Sequence, residues 1–251
     1  MLVNKKAIAN SFGRAAKKYD NIAIFQKKSG QYLFDLLSSF NGSIVLDAGC
    51  GTGYFSKKWK LFGKRVIAMD LSFEMLKEAK RIKSATNYLQ ADIENIPLKE
   101  KSVDICFSNL VLQWCNNIYV PLNQLHRITR NGGVIAFSTL LDGSLRELKQ
   151  CWKNIDDNKH INSFYTIDDI KKACKKWRFT LKKKSWNFLY PSFNCLIRSI
   201  KGIGANYLLP GKTKHGLMTK NYLFKLIDNY PNLGDKFPIT YKVVYGILYR
   251  E

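Results

Sequence analysis

The stretch Ser43-Ile-Val-Leu-Asp47-Ala-Gly49-Cys-Gly51-Thr-Gly53 constrains this chain more than any other. A short apolar run reads as a strand buried on both faces, and the glycines at alternate positions stop it. Glycines at a strand–helix junction allow a tight turn and a close approach of backbone to a ligand. Lys64-Arg-Val-Ile-Ala-Met-Asp70 repeats the apolar run, with helix-like residues 54–62 between the two. Tyr88-Leu89, Val103–Ser108 and Val134–Ser138 supply further strands. Ser72 is placed to cap a helix whose first turn holds Glu74, where the helix dipole favours an acid. Another helix, near 118–130, is expected to end at Gly132-Gly133. Strands alternating with helices predict a parallel α/β sheet, whose ligand crevice lies off the carboxyl ends of the strands.

The flanks have other patterns. In residues 4–19, Ile8, Phe12, Ala15 and Tyr19 recur at helical spacing among Lys5, Lys6, Arg14, Lys17 and Lys18. A second helix is expected over about 24–39, with Leu33, Leu36 and Leu37 inward. After about residue 141 the rhythm weakens. Phe179–Tyr190 and Tyr241–Tyr249 read as longer strands, and Ser192–Ile203 as an inserted helix ending in Lys201-Gly-Ile-Gly204. With 251 residues and no repeat or low-complexity linker, one elaborated domain is expected: helices over 1–40, a ligand-binding core over 41–140, and C-terminal strands over 141–251 carrying the insertion at about 192–204.

Composition excludes some classes. A chain 46% hydrophobic and 24% charged is not wholesale disordered. No apolar run approaches the ~18 residues of a membrane span. The opening residues lack a secretory signal, so a cytoplasmic protein is expected. The 6 Cys are scattered without a paired spacing, which predicts free thiols and no metal. The net charge of +22 is spread over both halves of the chain, and Lys outnumbers Arg 32 to 9. Drift toward AT-rich codons produces the same bias as selection for an acidic partner, so charge alone does not decide function.

The spacing of the loop narrows the ligand. A dinucleotide site spaces its glycines at i, i+2 and i+5. Here they fall at i, i+2 and i+4, and Tyr54 stands where the third would be. Asp47 would repel a phosphate but suits a cationic group, such as the ammonium of S-adenosylmethionine. Asp70, 17 residues past Gly53, is placed to accept from ribose hydroxyls. Asp92 can accept from an adenine amino group while Ile93 packs on the ring. This ordered set over residues 40–140 resembles the class I methyltransferases. The resemblance implies a Rossmann-like, mostly parallel seven-stranded sheet with helices on both faces, an N-terminal helical cap and a C-terminal helical insertion. It also implies a donor site of Asp47, Gly49, Cys50, Gly51, Gly53, Asp70, Leu71, Asp92, Ile93 and Asn109, with S-adenosyl-L-methionine as cofactor.

A sulfonium makes its methyl electrophilic, so such an enzyme must mainly hold a nucleophile in line and exclude water. A carboxylate nucleophile is already ionised near neutral pH and needs no general base. None of the histidines reads as catalytic: His126 lies in a helix, and His160 and His215 stand in polar stretches. The strand end Asn109-Leu-Val-Leu-Gln113-Trp114 puts an amide and an indole at the cleft mouth. It lacks the Asn/Asp-Pro-Pro-Tyr/Phe run of nucleic-acid amino methyltransferases, which argues against a nucleic-acid partner.

A narrower resemblance covers essentially the whole chain. Asn4-Lys-x-x-Ile8-Ala-x-x-Phe12-Gly-Arg14-Ala-Ala-x-x-Tyr19 looks like the start of the malonyl-acyl-carrier-protein O-methyltransferases of biotin synthesis. Leu46–Gly51, Ser108-Asn-Leu110, Gln113-Trp-Cys115, Gly143-Ser-Leu145, Glu147-Leu148, Arg198-Ser-x-Lys201-Gly-Ile-Gly-Ala205, Pro238-Ile-Thr-Tyr241 and Arg250-Glu251 are similar too. Thr52 departs from members that carry Pro there. This family implies methyl transfer to the free carboxylate of a malonyl thioester on acyl-carrier protein or CoA. In that setting Tyr19 and Gln113 orient the carboxylate, Trp114 lines its site, and Arg198 or Lys201 offsets its charge or binds phosphopantetheine. A methyltransferase of another small-molecule pathway, such as quinone synthesis, is the alternative. An RNA-modifying protein is suggested by charge alone.

Overall fold

The apolar runs pair side by side. In the computed structural model, which describes residues 3–156, 158, 160–205 and 220–251 (with 220–222 as backbone only), they form a sheet of seven strands in the order β3-β2-β1-β4-β5-β7-β6. β1 (Ile44–Ala48), β2 (Arg65–Asp70), β3 (Asn87–Gln90), β4 (Val103–Asn109) and β5 (Thr129–Leu140) are parallel. β7 (Phe237–Tyr249) runs antiparallel between β5 and β6 (Arg178–Tyr190).

Alternation across the pleat divides the buried side chains between two cores. Val45, Val66, Ile105 and Ala136 face one, where Leu33 and Phe34 of α2 (Ile24–Asp35) and Trp59 of α3 (Tyr54–Leu61) close over them. Leu46, Met69, Cys106 and Ile135 face the other, under Leu122 and Leu125 of α5 (Tyr119–Ile128) and Ile170 of α7 (Ile167–Cys174). The chain order reverses between β1 and β4, and a crevice opens there beyond the strand ends.

Among the remaining helices, α1, α6 and α8 border that opening. α1 (Lys5–Ile22), capped by Asn4 Oδ1 accepting from the Ala7 N–H, packs against α4 (Phe73–Arg81). α6 (Arg146–Lys153), α8 (Phe193–Lys201) and α9 (Lys220–Asn229) belong to the C-terminal segment. Glu147, buried on α6, accepts from the N–H and hydroxyl of Thr240 at 3.0 and 2.5 Å and so fastens α6 to β7.

Three local expectations are corrected. The second helix stops at Asp35 and gives way to turns, short of residue 39. Ser72 occupies the N-cap of α4 without a side-chain capping bond, and its N–H donates instead to Asp70 Oδ1 at 2.8 Å. Gly132-Gly133 does not end a helix, since α5 stops at Ile128 and the glycines lie inside β5. A Cβ on Gly133 would come 2.5 Å from the Asp104 carbonyl oxygen, beside the register shift between Val103 and Ile105. The need is for backbone proximity, which composition does not distinguish from helix termination.

His126 is structural, tilted against Trp177, with its pKa lowered to about 4 by burial and the neighbouring Arg250. His215 lies outside the described residues. The cysteines are free thiols. Among the described residues, no helix is long and apolar enough to cross a membrane. Nor do they contain a cluster of three or more potential metal ligands.

Candidate active site

The three loop glycines share left-handed backbone, with φ of 82° at Gly49, 54° at Gly51 and 85° at Gly53, yet they do different work. A Cβ on Gly49 would strike Val111 at 2.2 Å, and one on Gly53 would strike Ser84 at 2.3 Å. These two seat the loop against its neighbours. A Cβ on Gly51 would meet nothing within 4 Å, because this backbone faces a cavity of about 310 Å³. The N–H groups of Gly49 and Cys50 both donate to the Met69 carbonyl, at 2.7 and 2.9 Å, and tie the loop to β2.

Asp70 completes the tie. Its Oδ2 accepts from the Gly51 N–H and its Oδ1 from the Ser72 N–H, each at 2.8 Å. A carboxylate has about four lone-pair directions, so acceptor capacity remains toward the cavity that Asp70 lines. Burial raises its pKa, against the lowering effect of those N–H groups. Asp47, 2% exposed, is turned the other way: Ser56 of α3 donates to it at 2.6 Å. Burial, reinforced by Asp70, pushes its pKa up to about 7. Asp47, Cys50 and Gly53 are not among the cavity walls, whereas Gly49, Gly51, Asp70, Leu71, Asp92 and Ile93 are.

On the third strand end, Asp92 Oδ1 accepts from the Glu94 N–H at 3.0 Å and from Lys5 of α1 at 3.2 Å, and Lys5 also pairs with Glu94. The apolar stripe of α1 is thus a roof. Ile8, Phe12 and Tyr19 line the cavity, with Phe12 edge-on to Trp114 at 5.5 Å between ring centres. Burial, and then the nearby Asp70 and Asp20, raise the Tyr19 pKa well beyond the usual phenol range, so its O–H stays a donor.

The amides at the end of β4 are already engaged. Asn109 Oδ1 accepts from Ser29 and Ser138 at 3.0 and 2.8 Å, and its Nδ2 donates to the Gln26 carbonyl, which ties α2 to the sheet. Gln113 donates to the Leu110 carbonyl at 2.8 Å and accepts from Thr139 at 3.2 Å. Both residues still line the cavity.

The sequence places the helix at about 192–204 and Lys201 on the cavity's far half, but gives no site role to the apolar residues that build most of it. Leu148 and Trp152 of α6, Phe164, Ile197 and Ile200 of α8, and Tyr241 of β7 make an apolar chamber. Tyr241 stacks on Phe25 of α2 at 3.9 Å. His160, which stands in a polar stretch of the sequence, is a half-buried wall residue that stacks on Trp152 at 3.6 Å and bonds to Asp156 at 2.8 Å. Nothing in local periodicity marks these residues, which come from four separate segments. Of the two cations expected on α8, Lys201 lines the cavity, while Arg198 is exposed outside its walls.

Comparisons with known proteins agree with this arrangement. A family model described as a methyltransferase domain matches residues 46–137, the span from the glycine loop to β5. Curated relatives match almost end to end. The malonyl-acyl-carrier-protein O-methyltransferase of Hamiltonella defensa subsp. Acyrthosiphon pisum is 45% identical over 99% of this chain and 96% of its own length. The protein of that name from Pectobacterium atrosepticum is 46% identical over 99% and 98%. Among solved structures, the YcgJ protein of Bacillus subtilis covers 90% of this chain and 99% of its own at a TM-score of 0.62 and 14% identity, a likeness of fold.

Proposed function

The chain belongs to the malonyl-acyl-carrier-protein O-methyltransferases, and from that premise we propose that it methylates the free carboxylate of a malonyl group held as a thioester on acyl-carrier protein, with S-adenosylmethionine as donor. The product is the malonyl methyl ester that primes pimeloyl synthesis for biotin. We assign the reaction to the cytoplasm.

The residues at the strand ends fit the adenosyl donor. Gly51 leaves its backbone open to the cavity, where a side chain would fill the space. Asp70 is held by two N–H groups with acceptor capacity left for ribose hydroxyls, and Asp92 and Ile93 are placed for the adenine edge and face. Bound there, the donor supplies an electrophilic methyl. The chain's own residues hold the acceptor. Tyr19 donates from a phenol that stays protonated, and the Gln113 amide and Trp114 bound the site. Lys201 offsets the cost of drying a carboxylate. No group need abstract a proton, since the carboxylate is ionised near neutral pH. The roof of α1 excludes water from the reacting atoms.

One observation carries this reading. The match to relatives named for the activity covers 99% of the chain, so its span takes in the segments that build the far half of the cavity as well as the donor loop. A methyltransferase of another pathway would share only the loop and strand ends. The test is incubation with methyl-labelled donor and malonyl-acyl-carrier protein, free malonate or RNA in parallel. Label on the malonyl protein is expected. Label on RNA alone, or on none of the three, overturns the assignment.

A further inference from the structure

The motif Arg198-Ser-x-Lys201-Gly-Ile-Gly-Ala205 has a structural task that the donor and acceptor contacts do not account for. It joins the acceptor-side helix to the donor-side roof. Gly204, at φ 80°, lies so close to α1 that an added Cβ would stand 2.7 Å from the Ser11 carbonyl oxygen and 2.8 Å from Phe12 Cα. Those are backbone atoms, which cannot swing aside as a side-chain tip would. The buried Ser11 hydroxyl donates to the Gly204 carbonyl at 2.9 Å. Between the glycines, Ile203 is buried and lines the cavity with Lys201 and Ala205.

The roof is therefore held at two places. Its first turn is tied by Lys5 to Asp92 and Glu94 at the donor end, and its middle rests on the turn that ends α8. Phe12, which closes on Trp114, sits directly at the second support.

We propose that Gly204 and Ser11 are positioning residues that couple the two substrates, so that a malonyl carrier seated against α8 holds α1 down over the donor. The inference rests on the proposed function for the presence of two substrates in one cavity. Coupling of this kind is reciprocal: whatever factor the acceptor adds to donor-site affinity, a donor-site ligand adds to acceptor affinity.

The experiment is calorimetric titration of the full chain with S-adenosylhomocysteine, with and without saturating malonyl-acyl-carrier protein. The pair cannot react, so equilibrium affinities are read directly. In the wild type, the carrier should tighten S-adenosylhomocysteine by about fivefold or more. Gly204→Ala should bring that factor close to one. Ser11→Ala should reduce it, and Ser11→Thr, which keeps a hydroxyl, should restore it. A merely structural role would lower stability in these variants without erasing the factor selectively. Should Gly204→Ala not fold, the Ser11 pair decides. A wild type that binds both ligands independently, or variants that retain the full factor, overturn the coupling. A wild type that takes up no S-adenosylhomocysteine at all overturns the reading of the site itself.

Discussion

Asp47 and Asp70 end neighbouring strands, yet their surroundings give them opposite tasks. Asp70 faces the cavity with its charge supported by two N–H donors, so Asp70→Ala should weaken S-adenosylhomocysteine binding by about 1–3 kcal/mol, as read by titration calorimetry. Asp47 is buried against Ser56 and keeps its proton to about pH 7, whereas an unfolded chain releases it near the ordinary aspartate value of about 3.9. Between those values the unfolded state binds fewer protons, so this group's contribution makes stability fall as pH rises through the window and level off above it. Asp47→Asn removes the titration and should flatten that slope, measured by urea midpoints at a series of pH values without ligand. At this scale the loop was legible, because glycine spacing and strand-end acids are local patterns. That Asp47 turns to Ser56 was not, since its direction depends on how α3 packs beneath the loop.

Whole elements were legible wherever burial imposes a period. β1, β2 and the second half of β5 are apolar runs, and the α1 stripe has helical spacing. What that stripe faces was hidden: Ile8, Phe12 and Tyr19 roof a cavity that periodicity alone cannot distinguish from a packed core. α2 offers a test of packing against propensity. Gly30 lies in mid-helix, where alanine would favour helix by about 1 kcal/mol. A Cβ there would stand 2.1 Å from the Phe55 ring and 3.0 Å from Asn109 Nδ2, the group that ties α2 to β4. Overpacking costs about 1–3 kcal/mol and should win, so Gly30→Ala lowers the denaturant midpoint despite the better helix former.

Across the whole molecule, the charge of +22 sets up a long-range field. Lys6, Arg14, Lys17 and Lys18 stand exposed on α1, and Arg198 and Lys201 on α8, two of the helices that border the cavity. Salt should therefore weaken capture of an acidic carrier more than uptake of the small donor. Raising ionic strength from about 0.05 to about 0.5 M should increase KM for malonyl-acyl-carrier protein several-fold and leave KM for the donor nearly unchanged. Steady-state kinetics over that range checks it, and equal shifts for both substrates would make the basic surface irrelevant to capture.

The placement of β7 bears on how the chain is made. It follows every other strand of the sheet in chain order, yet it is inserted between two that precede it. Until it emerges, β5 has an open edge and β6 has no neighbour, and open edges recruit other chains. A nascent polypeptide of this topology therefore passes much of its translation with a half-finished sheet, and a ribosome that stops before Phe237 releases a product prone to aggregate.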